Sequence, residues 1–266
     1  MIHHPRKRFG QNFLHNPLVV SDMLSTLNPQ RHEHLVEIGP GTGVLTAPLL
    51  SQCNYLDAVE IDRDLAALLK IRFARSDNLN VVCEDALNVN FADFRRSNEK
   101  IRIIGNLPYN ISTPLLFHLL EQSSCIQDMH FMLQKEVVDR ICAGPGSKVF
   151  GRLSIMLQFH CKTEKLFEVS PHSFKPEPKV GSAVVRLTPR VIPEYAVTDL
   201  DALKALVTKA FSQRRKTLRN ALKGYLSADQ IASAGVDPAA RAELIDIAAY
   251  MRLTNRYSEK NSGRAG

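Results

Sequence analysis

The chain has 266 residues, of which 44% are hydrophobic and 23% charged, a composition that fits a globular core and excludes a disordered chain. Lys and Arg number 34 against 27 Asp and Glu, so the net charge of +7 favours a polyanionic partner. No apolar run reaches the roughly 18 residues of a membrane span. The five cysteines are scattered, which favours free thiols in a reducing cytoplasm over disulfides or zinc.

Residues 35–187 alternate short apolar runs with longer amphipathic stretches, the helix-like ones covering residues 42–53 and 63–74. This alternation predicts an α/β domain with a mostly parallel, Rossmann-like sheet and helices on both faces. Two later runs, KLFEVS and SAVVRLTP, lie too close together to need a crossover helix, so we expect an antiparallel pair at the sheet edge. The predicted buried strands are HLVEIG, YLDAVEID, LNVVCED, IRIIGN and MHFMLQ.

The pattern changes after Pro189, where strand-like runs stop and a second proline, Pro193, indicates a linker. We therefore predict a first domain over residues 1–190 and a small all-α domain over residues 191–266, the last nine residues (SEKNSGRAG) forming a disordered tail. The expected helix starts are Thr198, Ser227 with Gln230 in a capping box, and Asp237 before Pro238, and the expected stops are Gly224 and Gly235.

A glycine-rich turn, EIGPGTG from Glu37, lies between the first strand and the helix-like stretch that follows it. Glycines at alternate positions let the backbone turn tightly and lie close against a ligand. The spacing does not fit the G-x-G-x-x-G of dinucleotide-binding proteins. The motif E-x-G-x-G-x-G instead resembles the first motif of S-adenosylmethionine-dependent methyltransferases, which implies cofactor contacts at Gly39 and Gly41.

Acidic residues follow the next two strands. Glu60 lies 21 residues after Gly39, where a carboxylate can accept hydrogen bonds from both ribose hydroxyls, and Asp62 beside it fits a solvated charge. Asp85 would accept a hydrogen bond from the adenine amine of the cofactor, although by itself it also fits a helix N-cap. Because the carboxyl ends of strands in an open α/β sheet meet at one crevice, we expect Gly39, Glu60 and Asp85 to bind S-adenosylmethionine together.

The fourth strand ends in Asn106-Leu107-Pro108-Tyr109, which resembles the N/D-P-P-Y/F motif of amino-methyltransferases. An adenine amine is a poor nucleophile because its lone pair is delocalised into the ring. The side-chain oxygen of Asn106 and a backbone carbonyl at Leu107 or Pro108 can accept the amine hydrogens and draw the nitrogen toward a tetrahedral form. Pro108 fixes the backbone, and Tyr109 offers a face on which a flipped base stacks. A neutral Asn106 is compatible with a second methylation, since an Asn acceptor without a hydrogen-bond partner costs less free energy than an Asp would.

A basic arm that precedes the first strand makes the resemblance more specific. It contains the run FGQNFL over residues 9–14, which resembles the signature of the ribosomal RNA adenine dimethyltransferases, and the likeness extends over about residues 6–253. In that family this arm covers the cofactor, which implies that Asn12 and Leu14 contact it, as does Asn106.

The later run PHSFKPEPKV also resembles this family. The resemblance implies that Phe174 stacks on the target base opposite Tyr109. The alternative is an apolar plug between prolines, which the residues alone would favour.

A basic segment over residues 211–222 matches the family too. We expect it to form a helix that carries Arg215, Arg219 and Lys223 on one face. A solvated face is the usual interpretation of such a charge run. In a protein with charge +7 and a base-modifying site, contact with RNA phosphates is favoured.

The likeness is strongest to the bacterial small-subunit branch of the family. It implies dimethylation of the 6-amino groups of two adjacent adenosines near the 3′ end of small-subunit (16S) ribosomal RNA, within a pre-ribosomal small subunit, by a cytoplasmic monomer without membrane contact. Three alternatives remain: a large-subunit methyltransferase of the antibiotic-resistance type, a ribosome-assembly factor that has lost catalysis, and a DNA adenine methyltransferase. The intact tetrapeptide argues against the second, and its neutral first residue against the third.

Two further features complete the predictions. The nine histidines form no spaced ligand set, so we predict no metal site, and His118, His130 and His160 fit satisfied core residues. Residues 143–151 hold three glycines and a proline, which indicates either a mobile lid or a solvent loop.

Overall fold

A computed structural model describes residues 11–96, 98–190, 196–197 and 199–262, so residues 6–10 of the predicted arm and Thr198 lie outside the described chain. The strands are β1 (Phe13–Leu14), β2 (His34–Ile38), β3 (Tyr55–Val59), β4 (Leu79–Val82), β5 (Ile101–Asn106), β6 (Ile126–Gln134), β7 (Cys161–Val169), β8 (Phe174–Lys175) and β9 (Ser182–Pro189). The helices are α1 (Pro17–Leu27), α2 (Thr46–Leu50), α3 (Arg63–Arg72), α4 (Ser112–Glu121), α5 (Lys135–Ile141), α6 (Arg152–His160), α7 (Leu200–Phe211), α8 (Leu218–Ala221), α9 (Ala228–Ser233) and α10 (Ile247–Ser262).

Seven strands form one sheet in the order β4-β3-β2-β5-β6-β9-β7, and β1 pairs with β8 in a separate antiparallel ladder. The strands from β4 to β6 are parallel, and β9 is antiparallel to β6. The predicted α/β class with a mostly parallel sheet is confirmed. The runs IRIIGN and SAVVRLTP are strands over their whole length, and β7, which covers most of KLFEVS, neighbours β9 at the sheet edge.

The helix predicted over residues 42–53 is much shorter, because α2 has only five residues. The residues before it form a turn, in which Gly43 has a φ of +82°. This left-handed conformation cannot continue an α-helix. By contrast, α3 begins where it is predicted and ends two residues early.

A buried core fixes the strand ends in place. Every residue of β2 is buried. α1 contributes Val19, Met23 and Leu27, which are spaced four apart and therefore share one helix face, to a cluster that includes Leu35 of β2 and Ile104 of β5. Loops that follow these strands thus start from rigid positions.

The chain divides into two compact units, residues 1–138 with 163–189 and residues 139–162 with 190–266. This differs from the predicted division at residue 190, because residues 139–162 cluster with the C-terminal part of the chain. The physical reason is α6, a largely buried apolar helix that packs against α7. The loop over residues 143–151 is exposed over most of its length and is attached to the second unit near its end, where Phe150 is buried and contacts Phe211.

The basic helix predicted over residues 211–222 is wrong. α7 ends at Phe211, a turn follows, and α8 has only four residues. The backbone N–H groups of Leu218 and Arg219 donate to carbonyls in the segment 238–240, at 2.8 and 3.0 Å, instead of to the preceding turn. Long-range hydrogen bonds therefore override the local helical pattern.

The capping signals of the second unit have different outcomes. The capping box of Ser227 and Gln230 is confirmed at the start of α9. The cap of α7 is Asp199, whose carboxylate accepts two backbone N–H groups, and not the preceding threonine. Asp237 starts no helix, because its carboxylate accepts only the N–H of Ala239, at 2.8 Å, in a local turn.

The ends of the last helices follow the sequence only in part. Gly224 and Gly235 adopt positive φ after α8 and α9, as the predicted stops require. The predicted tail is wrong over residues 258–262, which belong to α10, and residues 263–266 lie outside the described chain. Contacts with Tyr225 hold the second half of α10, because the ring of Tyr257 stacks on that of Tyr225 and Nζ of Lys260 donates to the Tyr225 carbonyl at 2.8 Å.

Two further properties concern the described ranges as a whole. No helix in them is both long and apolar enough to cross a bilayer. All five cysteines lie in these ranges, and none of them forms a disulfide. Burial raises the pKa of Cys53 to about 11 and that of Cys161 to about 12, so both thiols stay protonated at neutral pH.

Candidate active site

Polar residues from four parallel strands meet in one crevice at the carboxyl ends of β2, β3, β4 and β5. Its empty volume is about 710 Å³, part of it open to solvent. Leu14 and Phe174, which are also predicted site residues, do not line it. The predicted residues that do line it are Asn12, Gly39, Gly41, Glu60, Asp85, Asn106, Leu107, Pro108 and Tyr109.

The glycine turn forms one wall of the crevice. Gly39 and Gly41 adopt left-handed conformations with φ of +69° and +57°. The N–H of Gly39 donates to the carbonyl of Val59 at 2.9 Å, which ties the turn to the end of β3. A Cβ on Gly41 would lie 3.2 Å from the ring of Phe13. The turn therefore offers bare backbone that a side chain would cover.

Glu60 holds this turn from the neighbouring strand. It is only 4% exposed, its Oε2 accepts from the N–H of Gly41 at 3.1 Å, and its Oε1 accepts from the N–H of Asp62 at 2.9 Å. A carboxylate that lines the crevice is also the kind of group that accepts hydrogen bonds from ribose hydroxyls. Asp62 is not the solvated charge that its sequence position suggests, because it is buried, caps α3 through Asp64, and accepts from Gln11 at 3.3 Å.

Asp85 lies half-buried in the loop after β4. One carboxylate oxygen accepts from the N–H of Leu87 at 3.0 Å, as in a helix cap, and the other can accept an amine hydrogen. Gln122, just after α4, fixes the same loop: it accepts from the N–H of Phe91 at 2.6 Å and donates to the carbonyl of Val89 at 3.2 Å. Asp85 can therefore cap the local turn with one oxygen and face the cofactor crevice with the other.

The tetrapeptide after β5 is held from several sides. The side-chain amide of Asn106 donates to the carbonyl of Asn12 at 3.1 Å, which leaves Oδ1 as the acceptor of that side chain. The N–H of Leu107 donates to the carbonyl of Met132 on β6 at 3.1 Å, and the Leu107 side chain is buried. The orientation of Asn106 is therefore set by the arm on one side and by the sheet on the other.

Gly105, which sequence reasoning left without a role, lets the tetrapeptide approach the glycine turn. A Cβ on Gly105 would lie 2.5 Å from the backbone oxygen of Ile38, closer than real atoms approach. Only glycine therefore fits at this position between β2 and β5. The signal in the sequence is a single glycine inside an apolar strand pattern.

Tyr109 is anchored at both ends. Its hydroxyl lies 2.8 Å from the Oγ of Ser182, and its backbone carbonyl accepts from the Oγ of Ser112 at 3.2 Å. Burial raises the pKa of Tyr109, and the bond to Ser182 opposes that rise in part, so the phenol is neutral at pH 7. Ser182 carries no motif and lies 73 residues away in sequence, so no local signal identifies it.

The arm and Leu14 line a second, smaller space beside the crevice. Leu14 is buried and pairs with Phe174 in the ladder of β1 and β8. It lines a recess of about 300 Å³ together with Glu37 and Asn106. The contact predicted for Leu14 therefore falls in this recess and not in the main crevice.

Phe174, which is predicted to stack on the target base, is buried in this arrangement and does not line the crevice. Phe174 is 3% exposed and belongs to the same core cluster as Leu14, Val169 and Val184. The ladder of β1 and β8 joins distant parts of the chain and places the ring in the core. This burial is what the apolar plug predicts, and a contact with the target base stays a prediction.

Glu37, the first residue of the glycine motif, is a buried acid. Its Oε2 accepts from the hydroxyl of Thr46 at 2.6 Å. Burial raises the pKa of Glu37 to about 8, and the charge of Glu60 adds to the rise. The residue is therefore mostly a neutral carboxylic acid at pH 7.

The three residues predicted to bind RNA are exposed but do not share a helix face. Arg215 lies in the turn after α7, Arg219 in α8 and Lys223 in the turn after α8. They belong to the second unit, whereas the crevice is built by the first. The three residues therefore do not share one helix face, although their spacing of four predicts that they do. They are still exposed cations.

Potential metal ligands do not cluster in the part of the chain that the structure describes: no three His, Cys, Asp or Glu residues there could hold an ion. Two of the histidines that the sequence predicts to be satisfied core residues have different outcomes, because His118 has a hydrogen-bond partner whereas the buried ring nitrogens of His130 have none within the described chain. His130 is buried, and burial lowers its pKa to about 4. A ring nitrogen of His118 lies 2.8 Å from the carbonyl of Val89 in the loop that carries Asp85.

Known proteins similar to this chain share both its sequence and its fold. The family model "Ribosomal RNA adenine dimethylase" matches residues 2–259. The ribosomal RNA small subunit methyltransferase A of Pseudomonas aeruginosa is 51% identical over 98% of both chains, and that of Legionella pneumophila is 50% identical over 97% of this chain and 100% of the relative. A dimethyladenosine transferase from Plasmodium falciparum has a TM-score of 0.80 at 25% identity, covering 94% of this chain and 98% of the other. The 23S rRNA methyltransferase ErmE has a TM-score of 0.73 at 25% identity, covering 93% and 100%. The chain belongs to the ribosomal RNA adenine dimethylase family.

Proposed function

We propose that the protein dimethylates the 6-amino groups of two adjacent adenosines near the 3′ end of small-subunit (16S) ribosomal RNA, with S-adenosylmethionine as the methyl donor. The observation that carries this proposal is the position of the Asn106–Tyr109 tetrapeptide on the same crevice as Glu60 and Asp85. The relatives at about 50% identity, which are named small subunit methyltransferases, support the choice of RNA.

The residues of the crevice fit S-adenosylmethionine. The bare backbone of the glycine turn forms a cradle that a Cβ on Gly41 would fill. Glu60 would hold the ribose hydroxyls, Asp85 the adenine amine, and Asn12 would close the site from the arm. When bound, the cofactor supplies an electrophilic methyl group on a sulfonium sulfur.

The chain's own contribution is to orient the target amine and make it nucleophilic. Oδ1 of Asn106 would accept one amine hydrogen, and a backbone carbonyl of the tetrapeptide the other, as the nitrogen becomes tetrahedral. Tyr109 would hold the flipped base by stacking. The amine gains a methyl group and loses a proton to water, so no strong base is needed. Orientation and electrostatics thus account for the rate.

The site of action follows from this proposal. We propose that the substrate is RNA within a pre-ribosomal small subunit, and that the protein acts on it as a monomer in the cytoplasm. Light scattering coupled to gel filtration at micromolar concentration should give a mass near 29.8 kDa. A stable dimer would contradict the monomer.

A transfer assay with a panel of substrates tests the proposed function. Labelled cofactor is supplied with unmethylated small subunits, large subunits, or adenine-containing duplex DNA, and the nucleosides are then analysed. The expected product is N6,N6-dimethyladenosine from small subunits only. Transfer to large subunits would favour the alternative that the fold similarity to ErmE keeps open. No transfer to any substrate would favour an assembly factor without catalysis.

The exposed charges of the second unit are proposed to contact RNA phosphates. Replacement of Arg215, Arg219 and Lys223 by Ala should lower RNA affinity and leave cofactor affinity unchanged, because the crevice lies in the first unit. The slope of log affinity against log salt should shrink by roughly 2–3. An unchanged slope would show that these side chains are only solvated.

A further inference from the structure

The hydroxyl of Tyr109 is hydrogen-bonded to a rigid part of the sheet. Ser182, its partner at 2.8 Å, is 1% exposed and is the first residue of β9. Its neighbour across the ladder is Gln134, the last residue of β6, and the N–H of Lys135 donates to the carbonyl of Gly181 at 2.9 Å beside it. Ser182 is therefore a fixed point at the carboxyl end of β6.

This bond removes the main freedom left to the tyrosine ring. The backbone of Tyr109 lies in the loop after β5, where Ser112 holds its carbonyl. Two side-chain torsions still let a ring swing about such a backbone, unless its far end is also bound. The hydroxyl of Ser182 supplies that second attachment, so the ring face toward the crevice is held at one inclination.

We propose that Ser182 is a positioning residue for Tyr109, and that it matters most for the second methyl transfer to each adenosine. The inference rests on the proposed dimethylation. An unmethylated amine offers two hydrogens, one to Asn106 and one to a backbone carbonyl. After one transfer only one hydrogen remains, so the base loses a hydrogen bond and depends more on stacking to keep its place. A ring free to swing therefore impairs the second transfer more than the first.

Single-turnover kinetics on unmethylated small subunits test the proposal. Nucleoside analysis over time gives the rate constants of the first and second transfers from the amounts of N6-methyladenosine and N6,N6-dimethyladenosine. Ser182→Ala and Tyr109→Phe remove the same hydrogen bond from opposite ends. Each should lower the ratio of second to first rate constant by about 3- to 10-fold, the range expected for one neutral hydrogen bond.

A double variant and a matched control separate positioning from general destabilisation. The variant with both Ser182→Ala and Tyr109→Phe should show no larger loss of the ratio than either single change, since one bond is removed in all three. Ser154→Ala removes another buried hydroxyl, one that bonds to the carbonyl of Arg140 in the second unit, and should leave the ratio unchanged.

The outcomes distinguish this proposal from the proposed function. An unchanged ratio in Tyr109→Phe, with methylation still measurable, would overturn the role of Ser182, as would losses that add in the double variant. Tyr109→Phe leaves the sheet intact, so it decides the matter even if Ser182→Ala does not fold. A wild-type protein that forms no dimethyladenosine would instead overturn the proposed function.

Discussion

The two ends of the parallel sheet use polar residues in opposite ways, and β5 carries one example of each. Asn106, at the carboxyl end, directs its amide oxygen to a crevice. Arg102, four residues earlier at the amino end, is buried and makes four hydrogen bonds within the protein. Its Nε and Nη2 donate to Asp128 at 2.8 Å, its Nη1 to Glu33 at 2.7 Å, and its Nη2 also to the carbonyl of Leu27 at 2.7 Å.

The neighbouring strands repeat this contrast. At the amino ends, His34 of β2 bonds to Asp57 of β3, which also accepts from Asn80 of β4 at 2.6 Å. At the carboxyl end of β3, Glu60 accepts backbone N–H groups of the adjoining loops, from Gly41 at one oxygen and from Asp62 at the other. A buried acid that is paired with side chains stabilises the fold. A buried acid that holds a loop and lines a crevice can also bind a ligand.

The largest effect on stability should come from the amino end. Arg102→Ala leaves the charge of Asp128 buried without its partner and should lower the free energy of unfolding by about 3–5 kcal/mol. Arg186→Ala, which breaks a half-exposed pair with Glu164, is the control and should cost at most about 1 kcal/mol. Urea unfolding measures both. Equal losses of free energy of unfolding in the two variants would show that burial does not make the Arg102 pair more important for stability.

A smaller effect, on the ligand, should come from the carboxyl end. Glu60→Ala should weaken S-adenosylmethionine binding at least tenfold, because hydrogen bonds to a charged acceptor contribute about 1.5–3 kcal/mol. Asp62→Ala removes the cap of α3 and should lower stability by about 0.5–2 kcal/mol with a smaller loss of affinity. If calorimetry finds that Glu60→Ala has unchanged affinity for the cofactor, another acid holds the ribose, and Asp62 is the first candidate.

Two buried groups should give the protein opposite pH dependences of stability. The pKa of His130 is lowered to about 4, so between about 6.5 and 4 the unfolded chain takes up a proton that the folded chain does not, and stability falls as pH falls. The pKa of Glu37 is raised to about 8, so between about 4.5 and 8 the folded chain keeps a proton that the unfolded chain releases, and stability falls as pH rises.

Variants of these two residues should remove one slope each. The slope for one group approaches about 1.4 kcal/mol per pH unit. The two slopes have opposite signs and overlap between about pH 4.5 and 6.5. In urea unfolding from pH 4.5 to 8, His130→Phe should therefore make the slope below about pH 6.5 more negative than in the wild type, and Glu37→Gln should make the slope more positive up to about pH 8. A wild-type slope retained in either variant would assign the titration to a different group.

The sequence predicts what local patterns determine and misses what distant contacts determine. Strand ends and the crevice residues follow from motifs, because a glycine turn, or an acid directly after a strand, determines the structure of its own short segment. The predicted basic helix is wrong for this reason, because bonds to residues 238–240 end it. The burial of Phe174 depends in the same way on a distant contact, the ladder with β1. Ser182 and the pairing of Arg102 with Asp128 also depend on register between separate strands, although a charge inside an apolar strand is a signal for the latter.

The measurement that tests the account most directly is single-turnover methyl transfer by Asn106→Ala at saturating RNA and cofactor. The account predicts a rate about 10²–10³-fold below wild type, because one oriented acceptor is lost as the amine becomes tetrahedral. RNA affinity should hardly change, since phosphate contacts lie elsewhere. Saturating cofactor should not restore the rate. A near-wild-type rate would mean that the backbone carbonyl alone activates the amine, and would contradict the role assigned to the carboxyl end of β5.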